Sequence, residues 1–123
     1  MKVTNAGLQN DAETQDVSFE TIFNGTAKAW SNLNGTGTIA ERDSFNMSGY
    51  VDNGTGDYTS TIAADMSDAN YGAVNTGGDG STGIRACGAQ AYAAGSFRTY
   101  ARDLTNSAND PAYYNLAVLG DLA

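Results

Sequence analysis

Residues Lys28–Tyr71 read KAWSNLNGTGTIAERDSFNMSGYVDNGTGDYTSTIAADMSDANY, and this stretch decides the fold. It carries Asn-Gly-Thr-Gly twice, at Asn34–Gly37 and Asn53–Gly56, each time between runs rich in aromatic and β-branched residues. Asn-Gly favours a two-residue hairpin turn because both residues tolerate positive φ. The pattern therefore predicts hairpin turns at Asn34-Gly35 and Asn53-Gly54. After the second copy, Tyr58, Ser60 and Ile62 alternate with Thr59, Thr61 and Ala63, the period of two of a strand. Ser44–Val51 is the expected partner strand, and the whole stretch reads as a β-meander.

The rest of the chain continues the pattern. Ile84–Tyr92, Ser96–Arg102 and Ala112–Leu119 read as further strands, with Gly95 at a turn and Pro111, the one proline, ending a loop over 104–111. Seven or eight strands at this spacing predict an all-β, compact antiparallel sandwich or barrel-like knob. Asn75–Gly83, rich in Gly, Asn, Asp and Ser, reads as a long flexible loop. Residues 1–25 differ: they hold Asp11, Glu13, Asp16 and Glu20, with Lys2 the one base, and few apolar residues before Val17. Val17, Phe19, Ile22 and Phe23 fit either a strand or a short helix. The division expected is thus an N-terminal arm over 1–25 and a knob over 26–123.

Composition narrows the function. Val, Ile, Leu and Phe together number 19 of 123 residues, while Ala alone supplies another 19. So thin an inventory with a net charge of −8 leaves two readings, partial disorder or a core completed by copies of the same chain. The hairpin signals and seven Tyr favour the second. An acidic chain without a basic patch disfavours nucleic acid. Cys87 is the one cysteine, so no intrachain disulfide exists, and it reads as a small apolar residue. No apolar run has the length of a membrane span, and the first residues lack a signal-peptide core.

The stretch Lys28-Ala29-Trp30 … Asn34-Gly35-Thr36-Gly37 … Arg42-Asp43-Ser44-Phe45-Asn46 … Asp52-Asn53-Gly54-Thr55-Gly56-Asp57-Tyr58-Thr59 … Asp68-Ala69-Asn70-Tyr71 resembles a module of tail-fibre and related virion proteins of tailed bacteriophages. Val118–Ala123 is similar to the end of many such proteins. The resemblance implies a homotrimeric virion protein, made in the host cytoplasm and displayed on the particle surface as a fibre or spike knob. Its partners would be itself, another virion protein of the tail or capsid, and host surface polysaccharide. Residues 1–25, through Val17, Phe19, Ile22 and Phe23, are the expected anchor. A capsid decoration or head-fibre protein is the alternative, and a polysaccharide-degrading spike enzyme a remote one.

The residues able to meet a glycan are Asp79, Arg85, Tyr92, Arg98, Tyr100 and Arg102, read as one face beside the long loop. Trp30 fits either the core or a subunit contact, or a sugar-stacking platform. Catalysis has little to work with: His is absent, which removes Ser-His-Asp and Cys-His chemistry and the usual zinc sites. Glu41 and Asp43, two apart on a strand, would share a face roughly 7 Å apart, within the range of an inverting glycosidase pair. Arg42 between them and the small chain argue against it, so no enzyme activity, cofactor or metal is expected. Asp65, Asp68 and Asp79 have no EF-hand spacing.

Overall fold

The computed structural model describes residues 1–12, 14–81 and 83–123; Glu13 of the N-terminal segment and Thr82 of the Gly-rich stretch lie outside the described residues. Eight strands form the knob: β4 (Ala29–Asn34), β5 (Ala40–Phe45), β6 (Met47–Gly54), β7 (Asp57–Ile62), β8 (Gly72–Gly78), β9 (Ala86–Ala93), β10 (Ser96–Arg102) and β11 (Tyr113–Leu119). They make two four-stranded antiparallel sheets, β5-β4-β11-β8 (sheet I) and β6-β7-β10-β9 (sheet II). The two face each other as a sandwich, and neither closes into a barrel.

The central strands carry the alternation that builds the core. Ala29, Ser31 and Leu33 on β4 and Tyr114, Leu116 and Val118 on β11 point inward from sheet I. Tyr58, Ser60 and Ile62 on β7 and Phe97, Thr99 and Ala101 on β10 point inward from sheet II. The inward Tyr set of β7 is the one the period of two predicts. Tyrosine supplies the volume that the sparse aliphatics lack. Tyr58 and Tyr114 pack with ring centroids 5.5 Å apart, and Tyr71, Tyr92 and Phe97 form a second aromatic group. The hydroxyls of Tyr58, Tyr71 and Tyr114 have partners, as burial demands, whereas among the described residues Tyr50 Oη, Ser31 Oγ and Ser60 Oγ are buried without a hydrogen bond. Tyr58 donates to Asp110 Oδ1 (2.7 Å), Tyr71 reaches the carbonyls of Ala93 and Ser96 (2.9 Å each), and Tyr114 donates to Tyr100 O and accepts from Asn75 Nδ2. Burial raises all three phenol pKa values, that of Tyr71 to about 12. A count of aliphatics and Phe alone therefore understates this core.

Two predicted boundaries move. Ser44–Val51 is not one strand: Asn46 adopts φ +55° and turns the chain from β5 in sheet I to β6 in sheet II. Its side chain holds that corner, donating to Lys28 O (2.9 Å) and accepting from Ala64 N (2.8 Å). The Gly-rich stretch Asn75–Gly83 is not all loop, because β8 takes it up to Gly78. β11 pairs along the whole of β8, and Asn75 Nδ2 bridges the sheets to Gly88 O (2.9 Å). Gly77 suits that edge for lack of a side chain: a Cβ there would lie 3.0 Å from Cys87 Sγ.

Both hairpin turns differ from a two-residue Asn-Gly centre. Asn34 ends β4, and its Oδ1 accepts from Thr36 N and Oγ1, opening a five-residue connection to β5. Asn53 and Gly54 stay in β6, where the register shifts between Asp52 and Gly54. Asn53 Nδ2 is spent across the pair on Thr59 Oγ1 (2.9 Å). The tight turn is Thr55-Gly56, with Gly54 at φ +133° and Gly56 at φ +64°.

A single loop sets both turns. Gly35 N donates to Pro111 O (2.9 Å), and Gly56 N to Asp110 Oδ1 (2.7 Å), the atom that also accepts the Tyr58 hydroxyl. A Cβ on Gly35 would lie 2.5 Å from the Tyr58 hydroxyl, and one on Gly56 2.3 Å from Ala101 O. Each Asn-Gly-Thr-Gly copy thus gives one glycine to the same knot, at Asn109–Pro111.

Residues 1–25 fold locally. β1 (Lys2–Val3), β2 (Gly7–Gln9) and β3 (Asp16–Ser18) form a small antiparallel sheet, and α1 (Phe19–Gly25) follows at once. Both alternatives for Val17–Phe23 are thus present in sequence, a strand and then a helix. Ser18 caps α1, its Oγ accepting from Thr21 N (3.0 Å). Lys28 Nζ binds the carbonyls of Phe23 and Thr26 at the other end, a cation where the helix dipole favours one.

Candidate functional site

Four surfaces could meet a partner: the outer face of sheet II, the loops at the Asp110 end, the outer face of sheet I and the N-terminal unit. The first carries Arg98, Tyr100 and Arg102, the outward positions of β10. Arg98 grips Asp57 in a fork, Nε to Oδ1 at 2.7 Å and Nη2 to Oδ2 at 2.5 Å. That hydrogen bonding holds the Asp57 carboxyl below its ordinary range and raises the Arg98 guanidinium. The guanidinium carbon also lies 5.7 Å from the centre of the Tyr100 ring. Register puts Gln90 and Thr59 on either side of Arg98, and Gly88 and Asp57 on either side of Tyr100. With its charge matched by Asp57, Arg98 offers remaining N–H donors rather than net charge. Together with the Tyr100 hydroxyl and ring, these can bind the hydroxyls and apolar face of a neutral sugar. Arg102 is exposed and donates to Asn106 O (3.0 Å).

The other residues expected on this face lie elsewhere. Tyr92 points into the core, stacked on Phe97 with ring centroids 6.4 Å apart. A register shift between Ser96 and Arg98, with Ala91 at φ +50°, displaces it from simple alternation along β9. Arg85 is spent inside the loop end: Nε donates to Asn109 Oδ1 (2.7 Å), Nη1 to Ile84 O (3.1 Å), and Nη2 lies 3.8 Å from Asp79 Oδ2. Asp79 Oδ1 accepts from the amides of Ser81 and Gly83, which lower its pKa. The six residues thus divide into three on the sheet II face, two in the loop end and one in the core.

The suggested Glu41 and Asp43 pair is separated by a β-bulge. Between Asn32 and Leu33 the register skips Arg42, so Asp43 pairs with outward Asn32 and Glu41 with inward Leu33. Two carboxylates on opposite faces cannot flank one bond. Glu41 instead lies near the Tyr50 hydroxyl, whose pKa rises to about 12, chiefly through burial. Among the described residues, no three His, Cys, Asp or Glu side chains converge as metal ligands, and no helix is long and apolar enough to cross a membrane. Cys87 is half-buried, and burial pushes its thiol up.

The four residues expected to form an anchor lie on β3 and α1 of the N-terminal unit. Phe19 and Phe23 stand four apart on α1 with ring centroids 6.5 Å apart. Phe23 is 63% exposed, Val17 on β3 is exposed, and α1 has no buried residue.

The outer face of sheet I was not anticipated as a unit. Phe45, Trp30, Ala117 and Val74 pair in one row across all four strands. Beside it runs a polar row, in which Asn32 Nδ2 donates to Asn115 Oδ1 (2.6 Å) and Asn115 Nδ2 to Thr76 Oγ1 (3.4 Å). Arg42 donates to Leu33 O (2.7 Å) and Asn32 Oδ1, and its guanidinium lies 4.4 Å from the centre of the Tyr113 ring. The signal was present in Trp30 and Phe45 but needed the register to appear.

No family model matches the chain, and no curated protein matches it. Among solved structures, the chain is similar over 93% of its length to the phiAB6 tailspike, solved in complex with three-repeated oligosaccharides of Acinetobacter baumannii surface polysaccharide. The TM-score is 0.57 and the identity 18%, a likeness of fold. The chain spans 23% of that tailspike chain.

Proposed function

We propose that this chain is a non-enzymatic fibre or spike unit of a tailed-phage particle, a homotrimer displayed at the virion surface that contacts host surface polysaccharide. The observation that carries this reading is the fold shared along almost the whole chain with part of a tailspike. The quoted resemblance of Lys28–Tyr71 supports it independently. In this reading the sheet II face, through Arg98, Tyr100 and Arg102, meets the glycan. The N-terminal unit joins the rest of the particle through Val17, Phe19, Ile22 and Phe23. The opposite facing of Glu41 and Asp43 supports binding without cleavage.

The test is retention of the purified protein on immobilised host surface polysaccharide, with new reducing ends measured in parallel. Retention without release of reducing ends, weakened by Tyr100→Ala, is the expected result. Failure of the wild-type protein to be retained would remove the glycan role, and release of reducing ends would make the chain an enzyme. Phe23→Asp should leave retention intact but keep the protein off assembled particles.

A further inference from the structure

We infer that the outer face of sheet I is where copies of this chain meet, the Phe45–Trp30–Ala117–Val74 row of one being covered by another; this rests on the oligomer in the reading above. The row is apolar on every strand of the sheet, and its large members stay open: Trp30 is 38% exposed, Phe45 56% and Val74 56%. Tyr113, 46% exposed, extends it past the amide row. With about 200 Å² for each aromatic side chain, the open parts of Trp30, Phe45 and Tyr113 come to about 280 Å², and Val74 and Ala117 bring the total to about 400 Å². A standard interface takes about 800 Å² from each partner, and its core is about two thirds apolar. The patch is therefore the size of an interface core.

Two observations favour a second copy over a sugar. The polar groups beside the row are already committed to one another, Arg42 to Asn32, Asn32 to Asn115 and Asn115 to Thr76. A face whose amides are internally satisfied loses water cheaply but offers a glycan few free donors. Charge is the second. Copies of a chain with net charge −8 repel, so they meet best where a face is neutral. The charged side chains at outward positions of sheet I are Arg42 and Asp43, which cancel, and Lys28, just before β4, is turned onto the carbonyls of Phe23 and Thr26. A sheet face of this kind packs on another sheet, and three of them can surround a three-fold axis.

The test uses Val74→Lys, at an exposed position where a new charge leaves the core untouched. Val51→Lys, on sheet II and 55% exposed, is the control. Light scattering should give an oligomer for the wild-type protein and for Val51→Lys, and a single-chain mass with unchanged far-ultraviolet dichroism for Val74→Lys. Trp30, the one tryptophan, gives a readout without any variant: its quenching by acrylamide should rise as the wild-type protein is diluted through dissociation. A Val74→Lys protein that keeps the oligomer mass overturns this interface and leaves the oligomer standing. So does a wild-type oligomer whose Trp30 is quenched as freely as an exposed indole, or whose Trp30 emission shifts only when oligosaccharide is added. A wild-type protein of single-chain mass at every concentration overturns the interface and the oligomer together.

Discussion

Replacing Asp110 by Ala should lower stability by about 3 kcal/mol. Asp110 Oδ1 receives two donors at 2.7 Å, the Tyr58 hydroxyl and Gly56 N–H. Tyr58 is fully buried, and its remaining acceptor, Gly35 O, lies at 3.3 Å. A hydrogen bond to a charged group contributes roughly 1.5–3 kcal/mol. Two such bonds, less what Tyr58 regains from Gly35 O, give a loss of about 3 kcal/mol. For a chain of this length the unfolding entropy is about 0.26 kcal/mol per degree, so the melting temperature should fall by about 12 °C. Asp110→Asn keeps an acceptor oxygen without the charge and should cost about half as much. The assay is thermal unfolding by circular dichroism at pH 7 and one fixed protein concentration, since association would otherwise shift the midpoint. The Tyr58→Phe and Asp110→Ala losses should not add in the double variant, because each removes the same bond. An Asp110→Ala midpoint within about 3 °C of wild type, or strict additivity, would refute the knot.

Gly56→Ala should cost clearly more than Gly37→Ala. Both sites have positive φ, but a Cβ at 37 meets nothing within 4 Å while one at 56 meets Ala101 O at 2.3 Å, so the former costs only the roughly 1–2 kcal/mol of the left-handed conformation; equal melting temperatures would count against the turn. Burial raises the Tyr71 phenol to about 12, so its contribution is full below about pH 10, the unfolded value, and is lost as pH rises toward 12; Tyr71→Phe should flatten the alkaline fall in stability. Asp57 has the opposite sign: with its pKa lowered by Arg98, it contributes above the ordinary carboxylate value and loses that contribution as pH falls through the lowered one. Arg98→Met should therefore soften the acid limb of a pH–stability profile and leave the alkaline limb unchanged.

The sandwich was legible because its central strands are half-buried and must alternate. β7 and β10 show this directly, Tyr58, Ser60 and Ile62 on one and Phe97, Thr99 and Ala101 on the other. The turns were legible as to region and not as to centre. Asn-Gly favours positive φ locally, but the Asn109–Pro111 loop, distant in sequence, fixes which glycine each copy uses. Composition misled at β8, where Gly77 and Gly78 look like loop residues and are strand residues because β11 pairs with them.

The candidate surfaces were harder to see for the same reason. A bulge at Arg42 parts Glu41 from Asp43, and the irregularity in β9 sends Tyr92 inward. Neither leaves a mark in periodicity, since one extra residue in a strand reads as an ordinary neighbour. The apolar row of sheet I joins residues as far apart in sequence as Trp30 and Ala117, which only the pairing of β4 with β11 brings together.

The most direct test of the central claim is to label purified particles of the tailed phage proposed to carry this chain with gold-conjugated antibody against residues 26–123 and image them. A unit of a fibre or spike places gold at the tail, on fibres or at the tip. Gold spread over the capsid would make the chain a decoration protein, and particles without gold whose proteins lack this chain by mass spectrometry would contradict a virion role altogether.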